Sequence, residues 1–258
     1  MLKRTAFFAY GLICYAIFFG TFLYAIGFIG GFFVPTTLDG PRTRPLLGAI
    51  AIDAGLLALF AVQHSVMARR GFKERWTRIV PPALERSTYV LLSSLALILL
   101  FRFWQPLGGV VWSVSNPVGR LVLQSLFAFG FGLVLVSTFL IHHFDLFGLR
   151  QVWLYLRNKP YTRLEFRTPG PYRLVRHPLY VGWFFAFWMT PTMTFAHLLF
   201  AVATTAYILI AIQFEERDLV HEFGDRYEDY RRRVPMLIPF GARKPADNLA
   251  RSDWTEAR

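Results

Sequence analysis

The sequence predicts an all-α, polytopic membrane bundle of about six transmembrane helices, the last two a short hairpin, followed by a cytoplasmic C-terminal helix. Three observations predict it. Of 258 residues, 55% are hydrophobic and only 17% charged, against about 45–50% and about 25% in ordinary soluble domains. Runs without charge reach the roughly 20 residues that a bilayer crossing needs. Lys and Arg collect between those runs, as they do where they set membrane orientation. The same numbers exclude a disordered chain and a soluble enzyme of ordinary composition. The formal net charge of +12 reads as topology, not as nucleic-acid binding. A single cysteine, Cys14, excludes an intramolecular disulfide and a thiolate cluster, and no spacing of His and Cys suggests a metal.

The spans follow in order. From Thr5 to Leu38 there is no charge; the run is too long for the apolar core of a signal peptide, so a retained helix is expected near 6–31. The second span runs from Leu46 to Ala68, interrupted only by Asp53, the third from Ser87 to about Leu107, and the fourth between Arg120 and His142. Pro178 to Phe214 is then free of charge for 37 residues, too long for one ordinary helix. Pro191 breaks the pattern, because proline inside a helix costs about 3 kcal/mol. Two short helices are expected, about 179–191 and 195–214.

Charge supports six passes over five. The loops 69–86 and 143–177 together carry thirteen Lys and Arg, whereas 103–119 and the hairpin tip carry none. Six passes put both basic loops and both termini on one side, which the positive-inside rule makes the cytoplasm. Leu149, Val152, Trp153 and Leu156 follow helical spacing. They describe either a helix lying in the interface plane or one packed on the bundle. The whole is expected to be one integral membrane domain, 1–142 being a four-helix part and 143–240 a functional part. Residues 241–258 are expected to form a mobile tail.

Chemistry concentrates at the two ends of the last hairpin. Gly170-Pro171-Tyr172-Arg173-Leu174-Val175-Arg176-His177-Pro178-Leu179-Tyr180-Val181-Gly182 enters the fifth span from the basic side. Pro178 suits a first helical turn, and Gly182 permits close approach of a ligand or a helix. Glu215-Glu216-Arg217-Asp218-Leu219, Phe223-Gly224, Tyr227, Tyr230 and Arg231-Arg232-Arg233 close the hairpin on the same side, where two carboxylates can receive a cation or hydroxyl donors. Taken singly, each residue reads as a headgroup anchor; the set is more specific than anchoring explains.

Arg-His-Pro-x-Tyr-x-Gly, a short hairpin, then Glu-Glu-x-x-Leu with Phe-Gly-x-x-Tyr-x-x-Tyr resembles the isoprenylcysteine carboxyl methyltransferase superfamily over roughly the C-terminal third. Gln63-His64-Ser65-Val66-Met67-Ala68 and Glu85-Arg86-Ser87-Thr88-Tyr89 are similar to its NnrU-type branch. The two portions and the length together resemble the bacterial methanethiol S-methyltransferase family. The resemblance implies an integral inner-membrane enzyme that uses S-adenosyl-L-methionine to methylate a small thiol, making dimethyl sulfide, with the lipid bilayer as its surroundings. It further implies that Tyr172, Arg176, His177, Pro178, Tyr180 and Gly182 shape the cofactor pocket, and that Glu215 and Glu216 close it. Tyr227, Tyr230 and an arginine of 231–233 would cover it.

Methyl transfer to sulfur needs an aligned nucleophile and a destination for the thiol proton. The candidates are His64, His142 or His143, and His177, with Asp53 a further intramembrane candidate. Asp53 lies on the order of 20 Å from the basic end, and pairing with a buried Tyr or His is its alternative role. Headgroup bonding is the alternative for His64. Adjacent helical residues diverge, so at most one of His142 and His143 faces a shared pocket. Two other functions remain compatible with these residues: methylation of a prenylcysteine carboxylate or a phospholipid amine, and a non-enzymatic membrane protein or small-solute transporter, the transporter being opposed by the lack of an internal repeat.

Overall fold

The structure is a computed structural model that describes residues 1–162 and 164–240. The tail expected at 241–258 lies outside the described residues. Long helices form where the sequence is apolar and free of proline: α1 (Leu2–Gly30), α2 (Leu46–Ala68), α4 (Pro82–Phe103), α5 (Pro117–Leu140) and α9 (Phe195–Phe223). These five are long and apolar enough to cross a membrane. Shorter pieces complete the chain: α3 (Arg70–Trp76), α6 (His143–Leu146), α7 (Leu149–Leu156), α8 (Pro178–Trp188), α10 (Asp225–Arg233) and two strands, β1 (Val110–Ser113) and β2 (Thr192–Thr194).

The chain makes six passes between two ends. Arg4 donates to Asn158 at 2.6 Å, so the start of α1 and the end of α7 share one end with the basic loops. At the other end, the Trp104 indole donates to the Leu38 carbonyl at 3.3 Å, joining the exits of α1 and α4. β1 and β2 pair antiparallel there, with Val110 opposite Thr194 and Ser113 opposite Thr192. The last hairpin therefore turns at the end away from the basic loops, and α10 returns to the basic end.

The expectation of two similar hairpin helices needs correction. α8 has only 11 residues, about 16 Å at 1.5 Å per residue, short of a hydrocarbon core of about 30 Å. Pro191 disfavours helix at Thr190 before it, and the chain finishes the pass as β2. α9 is instead 29 residues long. It runs past Phe214 through Glu215-Glu216-Arg217-Asp218-Leu219, because Glu, Arg and Leu are good helix formers in water as well as in lipid.

α8 lies against α5 at backbone distance. A Cβ on Gly182 would fall 2.7 Å from the Gly130 carbonyl oxygen, and one on Gly130 would fall 2.6 Å from the Ala186 nitrogen. Small residues let helices approach in this way without a hydrophobic driving force. α7 packs on the bundle, with Val152 fully buried against Gly11 of α1 and Tyr155 stacked on Phe7.

The end opposite the basic loops is held by a polar staple. Thr194 caps α9 by accepting from the His197 amide at 3.2 Å, and its hydroxyl donates to Asp39 at 2.5 Å. The buried His197 ring faces Asp39 at 3.3 Å and the Phe187 carbonyl at 3.0 Å. The loop after α1, the end of α8 and the start of α9 are thereby tied together.

Candidate active site

The fifth pass begins at the basic end with a 3-10 turn, Gly170–Arg173, whose prolines shape the chain just before α8. The backbone of Arg176 and His177 then runs beside the segment after α10. The Arg176 amide donates to the Pro235 carbonyl at 2.9 Å, and the His177 amide to the Met236 carbonyl at 3.2 Å. This pairing presents both side chains to the end of α9.

One carboxylate oxygen of Glu216 organises what meets there. It accepts from Arg176 Nε at 2.7 Å and from His177 Nε2 at 3.0 Å. The Arg176 and Glu216 side chains are each 10% exposed. The other end of the guanidinium donates to the carbonyls of Arg231 and Val234, at 3.0 and 2.7 Å. Arg176 therefore finds acceptors on α9 and on the tail, which satisfies a nearly buried cation. Glu215, one position earlier, accepts from the Tyr180 hydroxyl at 2.7 Å and stands 4.0 Å from His177 Nδ1. Its side chain is 44% exposed, and among the described residues only its Oε2 receives a hydrogen bond.

Three phenols cover this cluster. Tyr230 donates to the Tyr172 carbonyl at 2.5 Å, tying α10 to the 3-10 turn. Tyr227 is 1% exposed, and its hydroxyl has no hydrogen-bond partner among the described residues. Phe166 packs edge-on against both Tyr227 and Tyr230. Burial, with the negative charge of Glu216 added, pushes the Tyr227 phenol far above its ordinary range. Burial pushes up Tyr230 as well, and burial with Glu215 pushes up Tyr172. All three remain protonated donors at any ordinary pH.

Tyr172, Arg176, His177, Pro178, Tyr180, Glu215, Glu216, Tyr227 and Tyr230 thus come together at one end of one hairpin. Others do not join them. Gly182 belongs to the contact with α5, and the structure gives it packing, not a pocket wall. The tail meets Arg176 through the carbonyl of Arg231, not through a guanidinium of 231–233. His142 is exposed, adopts a left-handed φ of 74°, and its ring has no hydrogen bond among the described residues. His143 is buried between the Thr138 hydroxyl at 2.8 Å and the Tyr15 hydroxyl at 2.9 Å, and burial lowers its pKa, so it reads as a neutral packing residue. Asp53 lies at the opposite end; its partner is the Gln105 amide at 2.8 Å, not the Tyr or His expected. His64 turns inward to Tyr89 and Ser93 instead of outward to headgroups. Sequence reasoning missed Phe166, which lies in an irregular segment with no periodicity to mark it.

Comparison with known proteins bears on this arrangement. The chain is 59% identical over 94% of its length to a protein of Crocosphaera subtropica named methanethiol S-methyltransferase, covering 95% of that relative. It is 54% identical over 93% of its length to one of the same name from Mycobacterium tuberculosis, covering 98% of it. The chain belongs to the methanethiol S-methyltransferase family. A more distant relative, the Nurim of Xenopus laevis, is 30% identical over 83% of the chain. No family model matches the chain, and no solved structure matches it significantly. Family membership covers nearly the whole chain, so it includes α1–α5 as well as the hairpin that carries the acid–base cluster.

Proposed function

We propose that this protein transfers a methyl group from S-adenosyl-L-methionine to the sulfur of methanethiol, releasing dimethyl sulfide, at the basic end of the bundle. That end faces the cytoplasm of a bacterial inner membrane, where the cofactor is available, while an apolar thiol reaches the site through the bilayer. The observation that carries the reading is the carboxylate pair at the end of α9, held by Arg176, His177 and Tyr180 in a chain whose relatives bear the thiol methyltransferase name.

The residues present fit the cofactor. It is cationic at its sulfonium and its ammonium, and Glu215 offers a half-exposed carboxylate with one oxygen that receives no hydrogen bond among the described residues. The buried Tyr227 hydroxyl is a donor with no hydrogen-bond partner among the described residues. When bound, the cofactor supplies an activated methyl group, so the hard chemistry is its own. The protein's part is placement. Glu216 holds Arg176 and His177 in position, Tyr180 orients Glu215, and the segment carrying Tyr227 and Tyr230 closes over them. Such positioning is worth about 7–11 kcal/mol in well-oriented cases.

The test uses purified protein in lipid nanodiscs with cofactor and methanethiol. Dimethyl sulfide in the headspace should appear in step with S-adenosylhomocysteine. Glu215→Gln should keep the fold and weaken cofactor binding about 10- to 100-fold, as loss of a hydrogen bond to a charged group does. No dimethyl sulfide from the wild type would overturn the reading.

A further inference from the structure

The acid–base cluster leaves two sequence motifs unused, Gln63 to Met67 on α2 and Glu85 to Tyr89 on α4. They meet at the same end of the bundle. The Tyr89 hydroxyl lies 3.0 Å from both ring nitrogens of His64, and the Ser93 hydroxyl lies 3.2 Å from its Nδ1. Phe60 stacks on the ring, with centroids 5.1 Å apart. One residue on, Ser65 shares a 3.1 Å hydrogen bond with Tyr207, which ties α2 to α9. Beyond it, Arg69 pairs with Asp218 of α9 at 3.1 Å and lies 5.2 Å from the ring centroid of Phe214, one residue before Glu215. The end of α2 that carries His64 is thus tied to the stretch of α9 that carries Glu215.

Charged and polar side chains flank Tyr89 at the basic end. The Arg86 guanidinium lies 5.2 Å from the Tyr89 ring centroid and donates to the Leu146 carbonyl at 2.7 Å. Gln63 Oε1, Trp76 Nε1 and Glu85 Oε1 are buried without hydrogen-bond partners among the described residues. Such a concentration of unpaired polar atoms is unusual in a folded interior, and Trp76 packs on the cluster that holds Tyr89.

We infer that His64 is the acceptor-side catalytic residue, taking the proton of the bound thiol so that its thiolate sulfur attacks, with Tyr89 and Ser93 as positioning residues. The inference rests on the proposed methyl transfer. The thiol sulfur uses a lone pair to form the new carbon–sulfur bond. The methyl group's bond to the donor sulfur breaks, and that sulfur keeps the electron pair. The thiol proton moves to an imidazole nitrogen of His64 and leaves to water by way of the Tyr89 hydroxyl. A base is needed because even a cysteine thiol has a pKa of about 8.5, and a simple alkanethiol is less acidic still.

The experiment compares wild type, His64→Gln and Tyr89→Phe on methanethiol and on methaneselenol, which is already ionised at neutral pH. His64→Gln should lose about 100- to 10,000-fold on the thiol, the usual worth of a general base, and far less on the selenol. Its affinity for S-adenosylhomocysteine should equal the wild type's. A second readout does not depend on turnover. Methanethiol added to the wild-type complex with S-adenosylhomocysteine should give the ultraviolet absorbance of a thiolate near neutral pH, and the His64→Gln complex should not. Equal losses on thiol and selenol, or an undiminished thiolate signal in His64→Gln, would overturn the inference. Should His64→Gln fail to hold S-adenosylhomocysteine, Tyr89→Phe decides: a greater loss on the thiol supports it and an equal loss overturns it. Should the wild type make no dimethyl sulfide, the methyl-transfer reading falls, while the thiolate signal still decides the role of His64.

Discussion

Because one oxygen of Glu216 serves both Arg176 and His177, the two side chains cannot move independently. Removing that carboxylate leaves a nearly buried guanidinium with only carbonyl partners. Glu216→Ala should therefore destabilise the protein by about 3–5 kcal/mol, the usual result of breaking one side of a buried ion pair, read as thermal unfolding in detergent without ligand. Tyr227 and Tyr230 should separate stability from binding. The Tyr230 hydroxyl is bonded to the Tyr172 carbonyl, so Tyr230→Phe should cost about 0.5–1.5 kcal/mol of stability. The Tyr227 hydroxyl has no partner among the described residues, so Tyr227→Phe should leave unliganded stability unchanged or raised. It should weaken S-adenosylhomocysteine about fivefold, one hydrogen bond of about 1 kcal/mol, measured by calorimetry. A loss of unliganded stability in Tyr227→Phe would show that the phenol serves packing and not the ligand.

At the scale of elements, the contact between α5 and α8 places the site, because α8 is too short to fix its own depth in a bilayer. Gly182→Ala should cost about 1–3 kcal/mol by overpacking, since its Cβ would meet the Gly130 carbonyl and the Val134 amide. Gly132→Ala, on α5 with nothing within 4 Å of an added Cβ, should be neutral or stabilising by up to about 1 kcal/mol. Equal effects at the two positions would show that close approach is not what holds the pair. The same pair of helices shows where a sequence is legible. Apolar runs located the four N-terminal spans to within a few residues, because burial in lipid demands composition above all. Composition did not reveal that α8 stops at Trp188, since Met189-Thr190-Pro191 stays uncharged while leaving the helix. Nor did the charges after Phe214 end α9. The meeting of Arg176, His177, Glu215 and Glu216 was legible because both motifs sit where one hairpin returns to one end. Gly182 and the arginines of 231–233 were not, because a residue type says what a position permits and not which neighbour it faces.

For the molecule as a whole, the two ends have different work. The end away from the basic loops holds the strand pair and the Asp39–Thr194–His197 staple, which close the bundle. The basic end holds the acid–base cluster, both basic loops, the start of α1 and α10. Six passes are required for that division, and five would carry α10 to the far side. If the basic excess sets orientation, the strand end faces outward and the cluster faces the cytoplasm. The single cysteine makes this directly measurable. In a Cys14→Ser background, Asn116→Cys sits at the exposed start of α5 and Asn158→Cys just beyond α7, both on described residues. A membrane-impermeant maleimide should label Asn116→Cys in intact cells and Asn158→Cys only after the membrane is opened. The opposite pattern would place Glu215 and Glu216 away from the cytoplasm and remove the basis for the proposed methyl transfer at this site. Labelling of both positions in intact cells would mean that the six passes do not all cross. The short α8 makes that the most informative outcome to exclude, because an 11-residue helix completes its pass only with the help of β2 and its partner strand.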